Sequence, residues 1–294
     1  MTVTTTPDTV KARQRAGWGA QAPQWYAQLE VVERQWGALS DGLLDLARVA
    51  TGDRVLDLAC GVGEPALAAA VRVGPTGTVV ATDLSPDMVS FAAQRARAAG
   101  LPNVEAHEMD AESIDLPAAS VDVVLCRLGL MFLPDLDRAL AGVRRVLVPG
   151  GRFAAAIPWR PTGAAMPRLV GAIMGALDLP QPPPAAPGCP GIFSLADASV
   201  VCAGLERAGL SEIQVTPYTV THDHRSPDEW LDFLLALNLP LRQQLAGVSE
   251  DRIREARRVA VQVAAAYVGE DGHVRFPGHG YYATATRPGS LSEL

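Results

Sequence analysis

Short apolar runs alternate with helical patterns from residue 53 onward, and this alternation limits the fold more than any other feature of the sequence. The apolar runs are residues 54–60, 77–83, 103–110, 121–128 and 150–158, followed by 213–220 and 274–286. The helical patterns between the first five runs are residues 65–73, 85–99 and 135–147. Strands that alternate with helices lie parallel in one sheet, with right-handed crossovers and helices on both faces. The sequence therefore predicts an α/β fold around a doubly wound, mostly parallel sheet, which binds ligands at the carboxyl ends of its strands.

The composition argues against several classes of partner. The 294 residues have a net charge of -7 and a pI of about 5.3, which disfavours nucleic acid or an anionic membrane surface as the main partner. No segment reaches about eighteen apolar residues without a charge, and the N-terminus has no apolar leader segment. The four cysteines show no metal-binding spacing. We expect a cytoplasmic protein with reduced thiols, no metal and a small-molecule partner, and a homodimer is left open.

A glycine-rich turn, G-x-G-x-x-A, follows the first predicted strand and contains Gly61, Gly63 and Ala66. One interpretation is a dinucleotide site, where glycines bring backbone N–H groups against a pyrophosphate at a helix N-terminus. Asp83 follows Gly63 by twenty positions, which is the spacing of a ribose-binding carboxylate in such sites. The glycines and this carboxylate do not by themselves separate a dinucleotide from another ligand that contains a ribose.

Two further carboxylates distinguish the ligands. Asp57 ends the first strand and Glu64 lies at the start of the following helix, where both would repel the pyrophosphate that the helix dipole attracts. A cationic ligand without phosphate removes this conflict. S-adenosylmethionine is such a ligand, because it combines a sulfonium and an ammonium group with a ribose and an adenine.

The stretch VLDLACGVG, residues 55–63, resembles the first motif of class I S-adenosylmethionine-dependent methyltransferases. Later landmarks follow in the family's order: Asp83, Asp110 and the LVPGGRF segment at 147–153. The resemblance covers residues 54–157 and is greatest to the ubiquinone/menaquinone-biosynthesis type of small-molecule methyltransferase. It implies a Rossmann-like, seven-stranded sheet whose last strand is antiparallel.

The resemblance also implies cofactor contacts. Asp57 would help to hold the ammonium group, Asp83 would accept hydrogen bonds from the ribose hydroxyls, and Asp110 would accept from the adenine amino group. Gly61 and Gly63 would let the backbone approach the methionine and ribose. The remaining predicted cofactor residues lie on the same loops: Ala59, Leu84, Met88, Ala111 and Arg127. An arginine would repel a cationic sulfonium, so Arg127 is expected to reach either the cofactor's carboxylate or the substrate.

Three histidines are candidates for a catalytic base, since a phenol, amine or activated carbon that accepts a methyl group can require loss of a proton. His222 and His224 follow the sixth predicted strand and face the same way if the strand pattern persists. His279 begins the last strand. The alternative interpretations are a solvated strand end or helix cap for the first two and a turn for the third.

Five residues near the predicted ligand edge are candidates for binding the methyl acceptor: Trp25, Tyr26, Met131, Phe132 and Trp159. The first two would belong to an N-terminal helical lid, and the other three follow the fourth and fifth strands. A packed helix face is the alternative for the N-terminal aromatic residues.

These predictions divide the chain into a helical lid (1–50), a cofactor-binding core (51–158), a Pro-rich insertion or lid (159–191), a continuation of the core (192–222), a helical substrate cap (223–270), and the last strand and tail (271–294). We expect methyl transfer to a small apolar or aromatic metabolite, for example as a tailoring step in secondary metabolism. The alternatives are a cofactor-binding fold used as a scaffold for non-methylating chemistry such as cyclisation, and a nicotinamide-dependent oxidoreductase.

Overall fold

The computed structural model describes residues 6–159, 165–180, 189–238, 241, 244 and 248–289. The strands are β1 (Arg54–Leu58), β2 (Thr78–Asp83), β3 (Val104–Glu108), β4 (Val121–Arg127), β5 (Leu147–Trp159), β6 (Ser211–His224) and β7 (Val274–Thr286). The α-helices are α1 (Pro7–Ala27), α2 (Leu29–Leu46), α3 (Ala66–Val73), α4 (Pro86–Ala98), α5 (Leu136–Val146), α6 (Ala165–Ala176), α7 (Ala198–Arg207), α8 (Pro227–Leu237) and α9 (Glu250–Ala264). Parts of the predicted lid, insertion, cap and tail lie outside the described residues, at 1–5, 160–164, 181–188, most of 239–247 and 290–294.

One sheet holds all seven strands in the order β3-β2-β1-β4-β5-β7-β6. The pairs from β3 to β5 are parallel, whereas β7 runs antiparallel to both β5 and β6. The predicted fold class is therefore confirmed, including the antiparallel last strand. Strand order reverses beside β1, so the crevice at its carboxyl end is the place where such a sheet binds ligands.

Capping residues fix where two of the helices that follow this edge of the sheet begin. Ser85 caps α4 by accepting a hydrogen bond from the backbone N–H of Met88 at 3.3 Å, and Asp135 caps α5 in the same way through Arg138 at 2.9 Å. Four residues of β1 are buried in succession, as expected for a central parallel strand that is covered on both faces. The ends of β1 to β4 and of α3 to α5 lie within two residues of their predicted positions, whereas β5 begins three residues earlier than predicted.

Apolar side chains fill both faces of the sheet. One cluster packs β4, β5 and β7 against α5 and α7, and the other packs β1, β2 and β4 against α2 and α3. A third cluster joins α6, α8 and α9 to the start of β7 and includes the fully buried Trp230. This third cluster gives the segment after β6 a core of its own, next to the ligand edge.

The sixth strand differs from its prediction. Strand β6 extends through His224, and its last residues pair with the start of β7. His222 and His224 therefore belong to the strand instead of following it. No helix among the described residues is long and apolar enough to span a bilayer.

Candidate cofactor and acceptor site

A cleft of about 990 Å³, counted with its open mouth, lies at the carboxyl ends of β1 to β4. Loops after these strands form its floor, and α1 and α2 cover it. The residues on its floor are Ala59, Cys60, Gly61, Val62, Glu64, Asp83, Leu84, Met88, Met109, Asp110, Ala111, Glu112, Arg127, Leu128, Gly129, Phe132, Leu133 and Pro134. The covering residues are Lys11, Gln14, Trp18, Trp25, Val32 and Trp36.

Three backbone N–H groups of the glycine-rich turn already donate hydrogen bonds to acceptors within the protein. The N–H of Gly61 donates to Asp83 Oδ2 at 2.9 Å, and the N–H groups of Gly63 and Glu64 donate to the Cys60 carbonyl at 2.9 and 3.2 Å. Pro65, which precedes α3, has no N–H to offer. A pyrophosphate would need these donors, so the turn is a poor dinucleotide site.

The same turn leaves room for a ligand close to its backbone. Gly61 has a φ of 54° and no atom within 4 Å of the position that a Cβ would occupy. Ala59 and Leu128, which also line the cleft, adopt φ values of 55° and 58°. Non-glycine residues rarely occupy this left-handed region, and such strain clusters at functional sites.

Asp57 is fully buried at the end of β1, directly beneath the turn. Neither carboxylate oxygen has a hydrogen-bond partner among the described residues; the Ala66 N–H lies close enough to lower the pKa slightly, without hydrogen-bond geometry. Burial raises the pKa of Asp57 well above its usual range, while the charge of Arg127 opposes this rise. A buried carboxylate without a partner is the complement of a cationic ligand group.

Glu64 is neutralised within the protein, contrary to the sequence prediction that it repels anions. Arg95 donates to a Glu64 carboxylate oxygen at 3.0 Å and to the Val62 carbonyl at 2.9 Å. The same guanidinium reaches Glu33 of α2 at 2.7 Å. Asp57 alone therefore supplies the unpaired negative charge on which the choice of ligand depends.

Asp83 and Asp110 lie at the ends of β2 and β3 and face the cleft. Asp83 is 8% exposed, and its two oxygens accept the N–H groups of Gly61 and Ser85, each at 2.9 Å. Burial raises the pKa of Asp83 and these backbone donors lower it, with a net rise. Asp110 accepts from the ammonium of Lys11 at 2.7 Å. Each carboxylate oxygen can accept a second hydrogen bond, so both residues remain competent to bind a ligand.

Arg127 ends β4 and directs its guanidinium into the cleft. It donates to the hydroxyl of Ser40 in α2 at 2.8 Å. Burial lowers the pKa of Arg127. The nearby negative charges of Glu64 and Asp57 act in the opposite direction, but the net effect is a lower pKa. The remaining guanidinium donors lie beside Asp57, so the two residues together match the ammonium and carboxylate of an α-amino acid.

Aromatic rings form part of the cover of the cleft. Trp18 packs edge-on against Phe132 at 5.1 Å between ring centroids, and lies 6.4 Å from Trp25. Trp25 stacks on Trp36 at 5.9 Å. Three of the five tryptophans in the chain therefore line one ligand cleft, and they present an aromatic wall.

Most predicted cofactor residues line this cleft, but only two of the five predicted acceptor-binding residues do. Trp25 and Phe132 line it, whereas Tyr26 stacks on Phe91 at 4.6 Å. Met131 is buried in the core, and Trp159 lies on a more exposed part of the sheet. Of the cofactor residues, Asp57 and Gly63 lie behind the lining, where Gly63 permits close packing on Leu67.

None of the three candidate histidines is among the lining residues. His222 and His224 bind the two ends of the Gln35 amide, at 2.9 Å to its oxygen and 3.0 Å to its nitrogen. Burial lowers the pKa of each ring to about 4. His279 hydrogen-bonds Thr219 at 3.2 Å, its partner in the neighbouring strand β6. The structure thus gives the first two a neutral, structural environment.

The sequence interpretation placed Trp25 and Tyr26 in an N-terminal lid, but it missed Lys11 and Gln14 of α1 and Val32 and Trp36 of α2. Lys11, Gln14, Trp18 and Trp25 recur at helical spacing and form one face of α1. The available signal was Lys11, the only lysine in the chain. Glu112, also missed, is 4% exposed and pairs with Lys11 at 2.5 Å.

The residues present fit an S-adenosyl cofactor. Asp57 provides an unpaired buried carboxylate for an ammonium from behind the lining, and the cleft itself offers an arginine for a carboxylate and strand-end aspartates for a ribose and an adenine. Open space beside Gly61 permits the close approach to the backbone.

Comparison with known proteins agrees with this geometry. Residues 55–151 match the model of a methyltransferase domain. An aklanonic acid methyltransferase of Streptomyces sp. (strain C5) is 40% identical over 116 residues, 40% of this chain and 53% of that protein. A ubiquinone/menaquinone biosynthesis C-methyltransferase of Pseudomonas fluorescens is 35% identical over 127 residues, 43% of this chain and 50% of that protein. The chain thus matches about half the length of these curated relatives.

The fold itself extends beyond the matched segment. The crystal structure of the [4+2]-cyclase SpnF superposes with a TM-score of 0.53 and 24% identity, covering 86% of this chain and 82% of that one. This likeness concerns the fold alone. Sequence match, sheet order and cleft chemistry together identify the chain as one that contains a class I S-adenosylmethionine-dependent methyltransferase domain.

Proposed function

We propose that this protein transfers the methyl group of S-adenosylmethionine to a small, flat, apolar or aromatic acceptor. The single observation that supports it most is the unpaired, buried Asp57 behind the lining of a cleft that Trp18, Trp25 and Trp36 also line. A buried carboxylate that suits a cation and an aromatic wall in one cleft match a cationic methyl donor and an apolar acceptor.

The two ends of the cofactor are assigned to different residues. Asp57 and Arg127 take the ammonium and carboxylate of the methionine part, because they are the unpaired anion and the adjacent cation of the cleft. Asp83 accepts from the ribose hydroxyls, and Asp110 from the adenine amino group. Bound S-adenosylmethionine supplies an electrophilic methyl group on a sulfonium.

The protein's own contribution to methyl transfer is alignment and exclusion of water. Trp18, Trp25 and Phe132 hold a flat acceptor by ring contact, and α1 closes the cleft above it. Placing two reactants in line is worth up to about 7–11 kcal/mol in well-oriented intramolecular models. Positioning therefore suffices for a large part of the rate enhancement.

Two ligands separate the assigned contacts. S-adenosylhomocysteine contains the amino-acid group, whereas 5′-methylthioadenosine lacks it. We expect Asp57→Asn and Arg127→Met to weaken only S-adenosylhomocysteine binding, and Asp83→Ala to weaken both ligands with the fold intact. Equal loss for both ligands in Arg127→Met would refute the assignment to the cofactor's carboxylate.

Formation of S-adenosylhomocysteine tests the reaction. The protein is incubated with S-adenosylmethionine and a panel of flat aromatic phenols, quinols and carboxylic acids, and S-adenosylhomocysteine and methylated product are measured by mass spectrometry. Turnover with at least one acceptor is expected. A cofactor that binds tightly but never turns over would favour a scaffold for cyclisation, and binding of NAD in its place would favour an oxidoreductase.

A further inference from the structure

Lys11 is the only lysine of the chain, and its side chain lines the cleft. Its ammonium lies 2.7 Å from Asp110 Oδ2 and 2.5 Å from Glu112 Oε2. The side chains of Lys11 and Glu112 are 16% and 1% exposed. Charge-assisted hydrogen bonds in such surroundings are stronger than those between exposed residues.

The two carboxylates are themselves fixed to the core. Glu112 accepts the backbone N–H of Asp135, at the start of α5, at 2.8 Å. Asp110 accepts the backbone N–H of Glu112 at 2.9 Å. Burial lowers the pKa of Lys11, but the hydrogen bonds and charges of Asp110 and Glu112 raise it further, with a net rise. The ammonium is therefore charged at neutral pH and ties α1 to a rigid part of the sheet edge.

A second contact of α1 lies one turn along the same face. The Gln14 side-chain amide donates to the Phe132 carbonyl at 2.6 Å. Lys11, Gln14, Trp18 and Trp25 thus all line the cleft from one face of α1.

We propose that Lys11 is a positioning residue for the adenine: it orients the Asp110 carboxylate and holds α1 closed over the bound cofactor. This inference rests on the proposed function, because it requires an S-adenosyl ligand in the cleft. Asp110 uses one lone pair for Lys11 and offers another to the adenine amino group. Removal of the ammonium leaves the Asp110 carboxylate held, among the described residues, only by the Glu112 N–H, and it removes this tie between α1 and the sheet edge.

A selectivity measurement separates positioning from a merely structural role. S-inosylhomocysteine replaces the 6-amino donor by an oxygen that a fixed Asp110 repels. We expect Lys11→Met to reduce the preference for S-adenosylhomocysteine over S-inosylhomocysteine by about tenfold, measured by calorimetry, and Lys11→Arg to restore most of it. An unchanged preference, or an equal loss for both ligands, would overturn the proposal.

Arg15 provides the matched control. It lies one turn from Lys11 on α1 and pairs with Glu108, but both side chains are more than 40% exposed and neither lines the cleft. Arg15→Met should leave the preference unchanged, since exposed ion pairs contribute little. A loss of preference in Arg15→Met equal to that in Lys11→Met would show a general effect on α1 and overturn the specific role.

The single lysine also allows a direct measure of closure. A protease that cleaves only after lysine has one site in this sequence, between Lys11 and Ala12. S-adenosylhomocysteine should slow this cleavage, and Glu112→Gln should reduce the protection. Cleavage at a rate independent of a bound ligand would refute closure, whereas failure of the unaltered protein to bind S-adenosylhomocysteine at all would refute the proposed function instead.

Discussion

The substitution Asp57→Asn is expected to stabilise the ligand-free protein while weakening cofactor binding. Asp57 is fully buried, and its two oxygens have no hydrogen-bond partner among the described residues. An unpaired buried polar group costs about 1–3 kcal/mol, and more when the group is charged. Asparagine keeps the shape without the charge, so the free energy of unfolding should rise by about 1 kcal/mol near neutral pH. Loss of the ammonium contact should weaken S-adenosylhomocysteine about 10- to 100-fold, from the strength of hydrogen bonds to charged groups.

The pH dependence has a defined sign. Burial raises the folded-state pKa of Asp57, so its contribution to stability is present below its unfolded pKa and is lost as pH rises through the folded value. Denaturant titration of the unaltered protein and of Asp57→Asn, between about pH 5 and pH 8, should show a difference in unfolding free energy that grows with pH. A difference in unfolding free energy that is independent of pH, or unchanged S-adenosylhomocysteine affinity, would refute this reasoning.

The substitution Asp122→Asn is the matched control, and its effect on the free energy of unfolding should have the opposite sign. Asp122 begins β4 at the other edge of the sheet, and its hydrogen bonds from Arg54 lower its pKa. Its contribution to stability is present above the unfolded pKa and is lost as pH falls through the folded pKa. The pair is partly exposed, so the substitution should cost less than about 1 kcal/mol near neutral pH and leave cofactor affinity unchanged.

Three further predictions concern the surroundings of the cleft. Gly129→Ala should lower the melting temperature, because its Cβ would lie 2.6 Å from the Cβ of Ala59; an unchanged melting curve would contradict this. Arg95→Met should weaken S-adenosylhomocysteine several-fold in calorimetry by releasing Glu64 toward the turn, and full affinity would count against that role. His222→Asn should leave the rate of S-adenosylhomocysteine formation nearly unchanged, since the ring lies outside the cleft lining; a fall beyond about tenfold would restore it as a base.

Local signals sufficed to predict the sheet and the cofactor loops. The strand before Gly61, the cap at Ser85 and the carboxylates at the ends of β1 to β3 all occur within a few residues of the features that they define. Strand periodicity places such residues at one sheet edge without knowledge of distant contacts. The sheet order then brings Asp57, Asp83 and Asp110 into one region, as expected.

Pairings between distant segments could not be predicted in this way. Lys11 and Asp110 are 99 positions apart, and Gln35 lies 187 positions before His222. Nothing in the neighbouring sequence of either partner specifies the other. The charge of Glu64 was misjudged for the same reason, because Arg95 lies 31 positions away on another helix.

Titration of the protein with S-adenosylhomocysteine and with NAD, followed by calorimetry, tests the central claim most directly. Saturable binding of S-adenosylhomocysteine at one site per chain is expected, with a large loss of affinity in Asp83→Ala and no saturable heat from NAD. Saturable binding of NAD without binding of S-adenosylhomocysteine would contradict the assignment of the cleft.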